Sequence, residues 1–288
     1  MIFLIACFTF LVLPNFDTHD YFILVNVFNS NMFIQKLLKP LKKLEWLFKI
    51  KLRYKILLSL LVLVIIIFGV VFDYIARNTY QPELQYLNEI TSNTNVVIEK
   101  NDSHYVLNPV IRSSNVPEII YYSGGLVQSE AYLYRLGNLA IRLQTRIFLI
   151  RPPVNLAILN IDQAQSIVTK YGLKNFWVGG HSLGGVVACR YAKEHQELVY
   201  GIFLFGAYCD QDIQDFKGRV EVLYGEGDKV LNIDSLNKAN SNLPANAITK
   251  AAASFNHSSF GNYGPQRNDG NSELNNDQIL DVLVEVFN

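Results

Sequence analysis

Gly179-Gly180-His181-Ser182-Leu183-Gly184-Gly185 follows the apolar run Phe176-Trp177-Val178 and leads into Val186 to Ala192, a helix-like stretch. A G-x-S-x-G pentapeptide between a buried strand and a helix reads as a nucleophile elbow. Glycines two residues either side of Ser182 leave room for a strained turn that lifts the hydroxyl above the sheet edge. The small residues Gly184, Gly185 and Ala188 stand where a helix must pack closely on the sheet. Ser182 is therefore the expected nucleophile.

A serine hydroxyl needs a base to take its proton, and the base needs an acid to fix its tautomer. Of the five histidines, His19 lies near the amino end, His104 precedes the elbow, His181 is part of it and His195 closes the helix after it. Only His257 follows both the elbow and a good acid candidate. That acid is Asp228, in Gly225-Glu226-Gly227-Asp228 after the strand Val220-Glu221-Val222-Leu223-Tyr224. It sits on a loop at the carboxyl end of a strand, where ligands gather on an open parallel sheet. Glu226 is the nearest rival acid, with Asp210 and Asp212 further off. The order Ser182, Asp228, His257 suits a strand–elbow–helix architecture. Ser123-Gly124-Gly125-Leu126 leaves the strand Ile119-Ile120-Tyr121-Tyr122, so an N–H near Gly125 or Leu126 can join that of Leu183 in an oxyanion hole.

Apolar runs alternate with helix-like stretches from about residue 95, predicting an α/β fold with a mostly parallel sheet covered on both faces. The expected strands are 96–99, 105–107, 118–122, 146–150, 176–179, 202–205, 220–224 and 247–252. Helices are expected at 129–144, 161–171, 183–194, 233–239 and 276–287, with Ser129 and Asn276 as N-caps. About a dozen residues separate Phe205 from Val220, too few for an inserted lid domain. The cleft should be open, which favours small or polymer-attached substrates over long-chain lipids.

The chain has 288 residues and equal numbers of basic and acidic ones, 25 of each, so its overall charge points to no charged partner. Residues 1–77 nevertheless carry nine Lys/Arg against four Asp/Glu, and the remainder sixteen against twenty-one. From Ile56 to Phe72 no residue is charged. At about 1.5 Å per residue, a helix over 55–76 reaches across a hydrocarbon core of roughly 30 Å. The run from Lys36 to Lys55 ahead of it holds eight basic residues against Glu45 alone, which places the preceding segment inside and the remainder outside. The expected organisation is an amino end and basic cytoplasmic segment (1–54), a membrane-spanning signal anchor (55–76), a polar linker (77–94) and a catalytic domain (95–288). Residues 1–28 are either a first, poorer span or sequence ahead of a start at Met32, and both leave the lysine-rich stretch inside. Cys7, Cys189 and Cys209 have no metal-ligand spacing, and no disulfide is expected.

These blocks resemble the α/β-hydrolase superfamily, and more narrowly a compact, lidless bacterial group similar in outline to dienelactone hydrolases. The resemblance rests on Ser123-Gly124-Gly125-Leu126-Val127, Arg151-Pro152-Pro153-Val154-Asn155-Leu156-Ala157, the elbow, and Asn256-His257-Ser258-Ser259-Phe260-Gly261-Asn262-Tyr263-Gly264-Pro265-Gln266, continued by Asp269-Gly270. It covers about residue 95 to the end. It implies a serine hydrolase with Ser182 as nucleophile, Asp228 as acid and His257 as base, and with no metal or organic cofactor. Ser254-Phe255 stand where the group's pattern has glycines, and Tyr263 and Gln266 take no role from the residues alone. The expected activity is hydrolysis of a carboxylic ester or related acyl bond through an acyl-enzyme, with a small ester or acyl substrate and no nucleic-acid partner. The rivals are acyl transfer, a non-catalytic surface domain of the same fold, and a cytosolic enzyme whose apolar run is internal. Oligomeric state is left open.

Overall fold

The computed structural model describes residues 52–113 and 115–288. The readings made for residues 1–28, for Met32 and for most of the basic run ahead of the apolar helix lie outside these. The chain divides after Arg77. On the amino side is helix α1 (Leu52–Asn78), which contains the expected span and is the one described helix long and apolar enough to cross a membrane by length and composition.

The second body, Asn78–Asn288, carries eight strands in one sheet. These are β1 (Val96–Lys100), β2 (His104–Pro109), β3 (Ile119–Tyr122), β4 (Ile147–Ile150), β5 (Phe176–His181), β6 (Val199–Phe205), β7 (Arg219–Gly225) and β8 (Ile248–Ala252). Their spatial order is β1-β2-β4-β3-β5-β6-β7-β8. Pairing is antiparallel only where β2 meets β1 and β4, so the sheet is mostly parallel, as expected. Each expected strand forms, β6 beginning three residues early because Val199 pairs with Phe176 ahead of a register shift.

Between the strands lie α2 (Leu84–Ser92), α3 (Leu133–Leu143), α4 (Gln163–Tyr171), α5 (Leu183–Glu194), α6 (Ile233–Ala239) and α7 (Asn276–Glu285). Successive strand side chains point to opposite faces, and this divides the core in two. Ile119, Tyr121, Ile147, Leu149, Trp177 and Phe203 pack under Ile90 of α2, Leu136 and Leu139 of α3 and Leu280 and Leu283 of α7. Ile120, Tyr122, Phe148, Val178, Ile202 and Leu204 pack under Ile167 of α4, Val187 and Ala188 of α5 and Leu236 of α6. Burying each such aliphatic side chain contributes about 2 kcal/mol. Residues 206–218, between β6 and β7, form no helix or strand, and Cys209, Ile213 and Phe216 are buried there.

Four expectations are corrected. Residues 77–94 are not merely a linker, because α2 lies within them and buries Ile90 in the core. The Ser129 hydroxyl donates to the Ile150 carbonyl and caps nothing; the chain there is a 3-10 turn, Ser129–Tyr132, ahead of α3. Asn275, not Asn276, caps α7, in a reciprocal box with Gln278. Cys189 of α5 and Cys209, just past β6, form a disulfide with Cα atoms 5.6 Å apart. The apolar surroundings that suggested two separate buried thiols are one shared site, brought together by parallel β5 and β6. Closing a loop of 20 residues in the unfolded chain is worth about 3 kcal/mol. The double variant Cys189→Ala/Cys209→Ala is therefore expected to lose about that much in denaturant unfolding, and an unchanged midpoint would refute it.

Candidate active site

β5 runs up the sheet between β3 and β6 and breaks at Ser182, whose φ of 53° and ψ of −125° lie where non-glycine residues are rare. The turn is held from both sides: the Ser182 N–H donates to the Phe205 carbonyl at 2.9 Å, and the Ser182 carbonyl accepts from Gly185 at 3.0 Å. A methyl group on Gly180 or Gly184 would sit 2.2 Å from the Tyr122 carbonyl oxygen. Only glycines at these two positions let the start of α5 approach the end of β3. The Ser182 side chain thus stands at the carboxyl edge of the sheet, half-buried.

Asp228 follows β7 by three residues, and His257 opens a short 3-10 turn, His257–Phe260, beyond β8. His257 Nδ1 donates to Asp228 Oδ2 at 2.7 Å, with both side chains almost wholly buried. Asp228 Oδ1 accepts the N–H groups of Val230 (2.9 Å) and Leu231 (2.8 Å), which fixes the carboxylate. With its Nδ1 proton committed, a neutral His257 keeps a lone pair on Nε2. Gly206, one residue beyond the carbonyl that holds Ser182, faces this pair, and a methyl there would lie 3.3 Å from both Asp228 Oδ2 and His257 Nδ1. His181, the neighbour of Ser182, packs on His257 with ring centroids 4.5 Å apart. The structure therefore gathers Ser182, His257 and Asp228 at one corner. Among the described residues, neither Ser182 Oγ nor His257 Nε2 has a hydrogen-bond partner.

The turn after β3 lies against the elbow: a methyl on Gly125 would come within 3.0 Å of Leu183 Cδ2. The N–H of Leu183, first in α5, has no intrahelical acceptor, and that of Gly125 has none among the described residues. The Leu126 N–H is taken by the Asn155 carbonyl at 2.9 Å. Of the expected oxyanion donors, Leu126 is thus excluded by its own backbone bond, and Gly125 and Leu183 remain.

A sequence profile of the Alpha/beta hydrolase family matches residues 118–281, more than half of the chain. The chain belongs to the alpha/beta hydrolase family. Its fold is similar to that of a candidate lipase from Acinetobacter baumannii AYE, with 12% identity, TM-score 0.51, and 70% of this chain and 93% of the other covered. A candidate hydrolase from Bacillus subtilis matches at 10% identity and TM-score 0.51, covering 71% and 97% respectively. A predicted CIB-like hydrolase from Thermoplasma acidophilum matches at 12% identity and TM-score 0.50, covering 66% and 97%. No curated protein is significantly similar in sequence.

The rival acids of this alpha/beta hydrolase lie elsewhere. Glu226 is exposed, Asp210 pairs with Arg190, and Asp212 accepts from the Gln214 N–H. Among the described residues no group of His, Cys, Asp or Glu is arranged to hold a metal ion.

Asp269, seen in the sequence only as the tail of a motif, organises the histidine loop. Its carboxylate accepts four backbone N–H groups, from His257 (3.1 Å), Ser258 (3.0 Å), Gly270 (2.8 Å) and Lys229 (3.3 Å). It thereby ties the loop of Asp228 to the loop of His257. Asp269→Ala is expected to cost about 2–3 kcal/mol of stability, and on the order of tenfold or more in turnover through misplacement of His257. Unchanged unfolding and rate would refute this. Ser254, where the family pattern has glycine, has φ 60°; the serine holds the left-handed conformation that a glycine takes without strain. Tyr263 donates to Gln266 Oε1 at 3.1 Å and packs on Tyr80, Tyr132 and His181, which places both in the scaffold of the histidine loop.

Tyr80 is the other residue that sequence reasoning passed over. Its N–H donates to Leu126 O (2.8 Å), its carbonyl accepts from Gln128 (3.0 Å), and its hydroxyl accepts from the Arg267 N–H (2.9 Å). The Glu83 N–H donates to Asn262 O at 2.9 Å. Residues 80–83 thus form a strap joining the turn after β3 to the histidine loop. Strap contacts made by backbone atoms leave no signature in side-chain identity.

Proposed function

We propose that this alpha/beta hydrolase is a serine hydrolase acting on carboxylic esters or related acyl bonds. The observation that carries the reading is the buried His257–Asp228 pair, 2.7 Å apart, beside a serine held at strained dihedrals. In the reactive complex Ser182 Oγ bonds to His257 Nε2, a contact that commonly tightens only when substrate binds. Oγ attacks the acyl carbon as its proton passes to Nε2, and Asp228 stabilises the imidazolium. The oxyanion is met by the N–H groups of Gly125 and Leu183. His257 returns the proton to the leaving alcohol, leaving an acyl-serine. Water, deprotonated by the same imidazole, then releases the acid and restores Ser182. This cycle needs no metal or organic cofactor.

A fluorophosphonate probe tests the reading: it should label the full chain and fail to label Ser182→Ala. Labelling that persists in the variant would reject Ser182 as nucleophile, and absence of labelling in the wild type would favour a binding domain.

The same proposal places α1 as a signal anchor with the catalytic body outside. The basic residues ahead of α1 support this orientation, and so does the Cys189–Cys209 disulfide, since such bonds persist mainly outside the cytosol. Protease treatment of intact cells should digest the body, and a protected body would overturn the orientation.

A further inference from the structure

Three consecutive N–H groups leave the turn after β3, and two of them are spoken for: that of Gly124 donates to Tyr132 Oη at 3.0 Å, and that of Leu126 to Asn155 O at 2.9 Å. The Gly125 N–H is left between them. Tyr132 Oη also lies 2.9 Å from His181 Nδ1. The tyrosine and the histidine are both almost fully buried. A phenol has one proton to give; with Oη accepting from Gly124, the bond to His181 is best satisfied when that proton goes to Nδ1 and the imidazole carries its own on Nε2. The histidine ring is enclosed by Phe260 (centroids 5.4 Å apart) and by His257 (4.5 Å). Burial, and then the nearby His257, hold the His181 imidazole well below its ordinary pKa, so it stays neutral while His257 gains and loses charge.

We propose that Tyr132 and His181 are positioning residues that set the direction of the Gly125 N–H, by anchoring the Gly124 N–H inward and bracing that anchor against the base. The inference rests on the serine-hydrolase reading, in which Gly125 and Leu183 bind the oxyanion. Gly124 is a buried donor with one partner, and it lies in a turn of two adjacent glycines that resists reorientation weakly. Remove the Tyr132 hydroxyl, and the turn is free to rotate toward another acceptor, carrying the Gly125 N–H off its line. The loss falls on the transition state, because the oxyanion forms only there. His181 contributes by accepting from Tyr132 and by filling the space between it and His257, so the donor turn and the base are held by one chain of contacts.

The test is Tyr132→Phe in the full chain, which keeps the ring and removes only the hydroxyl. The expected result is a fall in kcat on the order of 10- to 100-fold with KM within about twofold, together with faster amide hydrogen exchange in residues 123–126. His181→Asn, which keeps an acceptor near the position of Nδ1, should retain more of kcat than His181→Ala. Unchanged kcat and exchange in Tyr132→Phe would overturn the proposal, as would parallel changes in KM and Tm, which mark general loosening. If the wild-type chain shows neither turnover nor fluorophosphonate labelling, the hydrolase reading fails instead. Exchange at residues 123–126 would still decide whether Tyr132 fixes the turn.

Discussion

Ser182→Ala is expected to lower kcat by roughly 10⁵- to 10⁶-fold on a simple chromogenic ester, with the fold intact. The residual rate would come from the oxyanion donors Gly125 and Leu183, which the substitution leaves in place. A companion variant separates the two roles of this position. Ser182 sits at φ 53° and ψ −125°, and such a conformation costs a non-glycine residue on the order of 1–2 kcal/mol. Ser182→Gly should therefore be as inactive as Ser182→Ala and more stable by about 1 kcal/mol in denaturant unfolding. The dihedral strain would then be identified as a cost the fold carries so that the hydroxyl is displayed. Turnover within tenfold of wild type in either variant would remove Ser182 from the mechanism.

Asp228→Asn is expected to reduce kcat by about 10⁴-fold while leaving the loop folded. The amide can still offer an oxygen to Val230 and Leu231, as Asp228 Oδ1 does, but it then turns an NH₂ toward His257 Nδ1. Two donors cannot share that bond, so the imidazole takes the tautomer with its proton on Nε2, the wrong face for accepting from serine. No counter-charge remains for the imidazolium either. Retention of the rate would mean that another carboxylate serves, and among the described residues the rival acids are placed otherwise: Glu226 is exposed and Asp210 is engaged with Arg190. A fluorophosphonate reaction slowed in proportion to turnover would place the effect on nucleophile activation.

What could be read along the chain was whatever a local pattern specifies. Short continuous apolar runs gave the strands, most of which are buried on both faces, and Gly180 and Gly184 around Ser182 gave the elbow, because a close backbone approach needs glycine wherever it occurs. The residues Ser182, Asp228 and His257 could be picked out by their places after strands. Contacts fixed by topology were invisible. Cys189 and Cys209 looked like two core thiols until parallel pairing of β5 with β6 put them side by side. Helix α2 was missed because Gln85, Asn88, Glu89 and Ser92 make it look like a polar connector, no side chain caps its start, and Ile90 alone is deeply buried. Leu126 looked as good an oxyanion donor as Gly125; only the Asn155 carbonyl, from a loop some thirty residues on, tells them apart. Asp269 shows its worth through four backbone donors, none of which has a sequence signature.

The strap at Tyr80 bears on what proteolysis would do to this protein. If α1 anchors the protein as proposed, a cut just ahead of Tyr80 should release a body that still ties its glycine turn to its histidine loop, and that fragment should keep whatever activity the full chain has. A cut after Glu83 that frees the strap would leave Leu126, Gln128 and Asn262 without the backbone partners they have now, and the Arg267 N–H without the Tyr80 hydroxyl. Shedding and silencing are then separated by only a few peptide bonds.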